Sequence, residues 1–226
     1  MSHTDPGFGK GSASAERRRL RPRIAIAIGV LAWVAGVAWG LQKIESYSST
    51  PGMADTAPTQ WPGAALVTPR AGRSTLVMFI HPQCSCTRAS LEELKTILDR
   101  TGDAVSAWVV VLKPNGMNDE WAHSDTWETA RSMSGVTVVI DDNGTEADRF
   151  GALTSGDTVL YSAAGKLQFR GGITAARGHV GENSGERRVV SFVAMGNADA
   201  SGHEVYGCGL HDPNPRTDEQ THAAAL

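Results

Sequence analysis

The longest apolar run in the chain comes first. Residues 24–41, IAIAIGVLAWVAGVAWGL, hold 18 positions without a charge. At ~1.5 Å per residue, a helix of that length covers about 27 Å, enough for a thin bilayer. The run is apolar all round, unlike the one-sided stripe of a helix packed on a soluble core. Shorter runs follow. Residues 75–80 (TLVMFI), 106–112 (SAWVVVL) and 136–140 (VTVVI) read as strands buried on both faces. Between the first two, Leu91, Leu94, Ile97 and Leu98 recur at helical spacing, with Glu92, Glu93, Lys95 and Asp99 off the stripe. Thr101-Gly102 closes that helix. Residues 118–132, with Trp121, Ala122, Trp127 and Ala130, predict a second helix. DDNG at 141–144 predicts a turn, and EADRFGA after it a short helix. DTVLY (157–161) and KLQFR (166–170) predict two strands joined by SAAG, a hairpin turn ending in Gly165. A last helix is expected at 184–195, with Ser184 as its N-cap.

The order is therefore β-α-β-α-β, a short helix, then β-β-α. Crossover helices pair strands in parallel and a hairpin pairs them antiparallel. The fold class expected is α/β, a mixed sheet flanked by helices and preceded by one transmembrane helix. The domains expected are an N-terminal tail (1–22), the anchor (23–42), a flexible linker (43–73), the α/β domain (74–210) and a loose tail (211–226). Residues 1–16 are Gly, Ser and His rich, and a disordered start is expected. Ser, Thr, Pro and Gly in SYSSTPGMADTAPTQWPG suggest a tether that holds the domain off the membrane.

Charge orients the span. Arg17, Arg18, Arg19, Arg21 and Arg23 precede it, and Lys43 is the one basic residue in the 25 that follow. The positive-inside rule then keeps the N-terminus in the cytoplasm and exports the rest. A cleaved signal peptide is the competing reading, but the apolar run is long for one and no clean A-x-A site follows directly. The location expected is a cell inner membrane, single-pass, with the main domain periplasmic and the lipid bilayer as a partner of the helix. A net charge of −3 and the lack of a basic patch interleaved with aromatics argue against nucleic acid.

Three cysteines, Cys84, Cys86 and Cys208, all follow the span and so face an oxidising compartment. Cys84 and Cys86 lie in HPQCSCTRASLEEL, where the first strand gives way to the first helix. A cysteine at a helix N-terminus faces free N–H groups and the positive end of the dipole, which favour its thiolate. Arg88 and His81 are placed to add positive charge. Residues two apart in a regular helix point about 200° from each other, so the pair cannot bridge there. A non-helical turn from Gln83 to Cys86 is expected, with the helix starting near Thr87. Cys208, in EVYGCGL, is either a third redox thiol or a buried inert one.

VMFIHPQCSCTRASLEEL resembles the active-site strand, turn and helix of thioredoxin-like proteins, and the element order agrees over roughly residues 66–195. HPQCSCTRAS together with GGITAARGHVGEN (171–183) resembles bacterial membrane-anchored RedB-like proteins. The resemblance implies a thiol–disulfide oxidoreductase acting on a thiol or disulfide protein partner in the exported compartment, with no cofactor. In that reading Cys84, the more exposed thiol, attacks, Cys86 resolves and Cys208 relays. It also implies that Arg177 and His179, after the last strand, approach Cys84. This chain departs from the family pattern. Its pair is C-x-C, and the proline expected before the fourth strand is replaced within TSGDTVLY (154–161), where Asp157 or Thr158 would stand in. Two other readings compete. One is a copper(I)-binding protein with Cys84, Cys86 and His81 as ligands, since soft thiolates select Cu(I). The other is a non-catalytic binding module with a structural disulfide.

Overall fold

The computed structural model describes residues 12–196 and 201–211, with the side chains of 12–22 and 201 excepted. The expectations for residues 1–11 and 212–226 lie outside these. The chain divides into two compact units, one up to Tyr47 and one from Ser48 onward.

The first unit is built on helix α1, Ser12–Ser49. Within it, Arg23–Ser49 is long and apolar enough to cross a membrane, with a mean hydropathy of 2.2 and none of its most apolar window buried. A signal sequence would pass the same test. The helix begins at Ser12, inside the stretch expected to be disordered, and it continues to Ser49, inside the expected linker.

The second unit carries a six-stranded sheet in the order β3-β2-β1-β4-β5-β6. Strands β1 (Ser74–Ile80), β2 (Val105–Lys113) and β3 (Val136–Asp142) pair in parallel. Strand β4 (Asp157–Tyr161) runs antiparallel to β1, and β5 (Leu167–Gly171) antiparallel to β4. This is the thioredoxin-like arrangement, with β1 central and the β1–α2 connection at the carboxyl edge of the parallel strands. A sixth strand, β6 (Ser201–His203), pairs in parallel with β5 and was not foreseen; SGH carries no apolar pattern to announce it.

Alternation along each strand splits the core in two. Leu76, Met78 and Ile80 of β1 face Leu91, Leu94 and Ile97 of helix α2 (Thr87–Thr101). Val77 and Phe79 face the other way, toward Phe150 of helix α5 (Thr145–Phe150). The helix expected at 118–132 is two, α3 (Asp119–Ala122) and α4 (Asp125–Ser132). Asn118 and Ser124 each cap one, accepting from the N–H of Trp121 and Trp127, and the second cap restarts the chain in mid-stretch. Helix α6 (Ser184–Met195) is capped by Asn183, one residue before the expected Ser184.

The segment expected to be a flexible linker is packed on the domain. Trp61 sits edge-on to Phe150 and Tyr161, with centroids 5.3 and 5.1 Å away. The Tyr161 hydroxyl donates to Pro58 O at 2.7 Å, and Leu167 N donates to Thr59 O at 3.0 Å. Val67 is fully buried in the second core. A Pro- and Ser-rich composition hid these anchors.

Candidate active site

The β1–α2 connection is two tight turns in succession. Cys84 N donates to His81 O and Thr87 N to Cys84 O, both at 3.1 Å. Cys86 is the N-cap of α2, in the right-handed helical region at φ −70° and ψ −22°. Ala89 N then donates to Cys86 O as the first bonds of the helix form. The turn from Gln83 to Cys86 and the helix start at Thr87 match the expectation from the C-x-C spacing.

The loop before β4 locks these turns. Ser155 Oγ accepts from His81 N at 2.9 Å and lies 3.0 Å from Thr87 Oγ1. One buried hydroxyl thus touches both ends of the cysteine turn. Gly156 N donates to Phe79 O, extending the contact to the end of β1. Asp157 and Thr158, considered for this place, belong to the β4 ladder instead, opposite Phe79 and Met78. The contact residue is Ser155, and the cue was a serine two residues before the fourth strand.

Cys208 arrives from far along the chain. After β6 the segment 204–210 runs antiparallel beside residues 153–155. Ser155 N donates to Cys208 O at 2.8 Å, and Leu210 N to Leu153 O at 2.9 Å. Gly207 makes the close approach possible, because a Cβ there would lie 1.9 Å from Ser155 O. Arg177 fastens the same strap, its guanidinium donating to Gly207 O.

The three thiols therefore interact with one another, and none is in a disulfide in this structure. The Cys84 pKa is lowered, first by its side-chain interaction with Cys208, then by that with Cys86, against the opposing effect of burial. The Cys208 thiol is raised by the reciprocal interactions with Cys84 and Cys86 and by burial. At Cys86 the interaction with Cys208 lowers the thiol, but Cys84 and burial outweigh it and the net direction is upward; Arg177 gives a smaller lowering. The arrangement favours ionisation of Cys84 over its two neighbours. Exposure differs from expectation. Cys84 is 2% exposed and Cys86 8%, so Cys84 is the less exposed of the pair. Cys208 is the partly exposed thiol.

The remaining site residues scatter. Arg88 points to solvent and pairs with Asp125 at 3.2 Å. His179 is exposed and acts on Glu93 of α2, whose carboxylate accepts from Gly181 N and Asn183 Nδ2. Of the two residues expected to approach Cys84, Arg177 holds the strap at Gly207 and its charge acts on Cys86, while His179 lies near Glu93. His81 is buried, its ring edge-on to Trp121 at 5.4 Å and its Nδ1 accepting from Gln83 N. Among the described residues, no group of three or more His, Cys, Asp or Glu side chains is arranged to hold a metal ion.

No family model and no curated protein matches the chain. Solved structures do. A hypothetical protein from Sinorhizobium meliloti 1021 superposes with a TM-score of 0.56 at 19% identity, covering 70% of this chain and 96% of that one. An uncharacterized conserved protein from Geobacillus kaustophilus gives 0.50 at 14% identity, over 74% and 96%. The pneumococcal exposed lipoprotein thioredoxin Etrx1 from Streptococcus pneumoniae gives 0.40 at 17%, over 54% and 84%. At these identities the likeness speaks for the fold alone.

Proposed function

We propose that the chain is a membrane-anchored thiol–disulfide oxidoreductase whose main domain works on the exported side, with Cys84 as the attacking sulfur. One observation carries the reading: Cys84 sits in the β1–α2 turn just before a helix N-terminus, with Cys208 and Cys86 beside it, and both interactions favour its thiolate. The thiolate, not the thiol, is the nucleophile in disulfide exchange. Cys84 attacks one sulfur of a substrate disulfide. That bond breaks, its other sulfur leaves as a thiolate, and a mixed disulfide with Cys84 forms. A second thiol of the protein then displaces the substrate.

The apolar helix with arginines before it supports anchoring, and three cysteines after it support an exported, oxidising location. The substrate class is a thiol or disulfide protein in that compartment. In the full chain in detergent, Cys84→Ser abolishes exchange with glutathione disulfide. Retained exchange in that variant would overturn the assignment.

A further inference from the structure

We infer that Cys208 is the resolving thiol, and that the oxidised state of this centre is a Cys84–Cys208 disulfide that ties the C-terminal strap to the catalytic turn. This rests on the reading of Cys84 as nucleophile. The geometry separates the two candidate partners. Cys84 and Cys86 lie on one hydrogen-bonded turn, closed by Thr87 N to Cys84 O, and Cys86 already has helical backbone angles. The turn brings the two side chains into interaction, but a bond there would join residues only two apart where the chain enters a helix. A bond between them closes a short, strained ring. Cys208 meets no such obstacle. It comes from a separate segment, docked on Ser155, and Ser155 Oγ is bonded at His81 and Thr87 on either side of Cys84. Gly207 and Arg177 hold that segment in place.

The step balances. In the mixed disulfide, Cys84 is bonded to the substrate sulfur. Cys208 gives its proton to the thiolate released in the first step and attacks the Cys84 sulfur. The Cys84–Cys208 bond forms, the mixed bond breaks, and the second substrate sulfur leaves as a thiolate. Two electrons pass from Cys84 and Cys208 to the substrate. Cys86 stays reduced throughout, and beside the resting Cys84 it favours that residue's thiolate.

The test uses the full chain in detergent with glutathione disulfide, followed by alkylation, trypsin and mass spectrometry. Cys84 and Cys86 fall in one tryptic peptide, residues 74–88, and Cys208 in another, 189–216. The expected product is the two peptides cross-linked, with one alkylated cysteine left on 74–88. In Cys208→Ser the glutathione adduct of Cys84 accumulates, at least ~10-fold over wild type, whereas Cys86→Ser still forms the cross-link. An internal disulfide within 74–88 and an alkylated Cys208, or an adduct that accumulates in Cys86→Ser instead, would overturn the inference while leaving Cys84 as nucleophile. Loss of all adducts in Cys84→Ser confirms that underlying reading, and adducts persisting there would remove both.

Discussion

Cys84 owes its acidity first to Cys208, then to Cys86. A thiol with that support stays ionised, and reactive, well below the ordinary cysteine range. Cys208→Ser therefore raises the Cys84 pKa more than Cys86→Ser does. At pH 5 the iodoacetamide rate at Cys84 falls by ~10-fold or more in Cys208→Ser relative to wild type. Equal rates at pH 5 would show that Cys208 does not support the thiolate. Ser155 is the second key residue, because its hydroxyl bridges His81 N and Thr87 Oγ1. Ser155→Ala leaves a buried N–H without its acceptor and lowers stability by roughly 1–3 kcal/mol, measured by urea unfolding. The position of Cys84 and Cys86 at a strand-to-helix boundary was legible from the apolar run before them and the helical spacing after. The presence of Cys208 was only an open alternative, since no local pattern links residues so far apart. Arg88 was chosen for its charge beside the cysteines and His179 from the resemblance, but Arg88 pairs with Asp125 and His179 lies near Glu93.

Among the elements, the strap 204–210 and the segment 50–67 were the least legible, and for the same reason. Both dock by backbone hydrogen bonds and a few side chains, not by a periodic apolar face. Strands β1 to β3 were readable from apolar runs and β4 and β5 from the hairpin turn at Gly165, but β3, expected to be buried on both faces, is a half-buried edge strand. The break between α3 and α4 was not readable, because Trp121 and Trp127 keep apolar spacing while Ser124 quietly restarts the helix. Two substitutions test these elements. Gly207→Ala pushes a methyl into Ser155 O and lifts the strap, so formation of the Cys84–Cys208 bond slows by ~10-fold or more while Cys84 remains alkylatable. Trp61→Ala removes the edge contacts to Phe150 and Tyr161 and lowers stability by about 2–4 kcal/mol, read from a thermal or urea melt. An unchanged melt would mean that the segment does not hold the domain.

At the scale of the whole molecule, one buried charge gives the fold a pH signature. Asp157 is fully buried, paired with Arg170 at 3.0 Å, and its Oδ1 makes no hydrogen bond. Burial pushes its carboxyl up to about 6, against the pull of Arg170. A carboxyl raised on folding binds its proton more tightly in the native state. Its contribution to stability is full below pH ~4, is lost as pH rises toward 6, and is flat above. The difference in unfolding free energy between wild type and Asp157→Asn therefore falls by up to roughly 3 kcal/mol between pH 4 and 7. Parallel pH profiles would contradict this. The proposed function joins the helix Arg23–Ser49, long and apolar enough to cross a membrane, to the cysteine-bearing unit as a tethered redox centre. That account requires the disulfide to exchange, not merely to brace the fold. The most direct measurement is the reduction potential of the full chain in detergent, by dithiol titration with alkylation mass spectrometry. A redox-active centre with its reduced form stabilised by a low-pKa thiolate has a potential above about −270 mV. A value below about −300 mV, typical of a structural bond, would contradict the account.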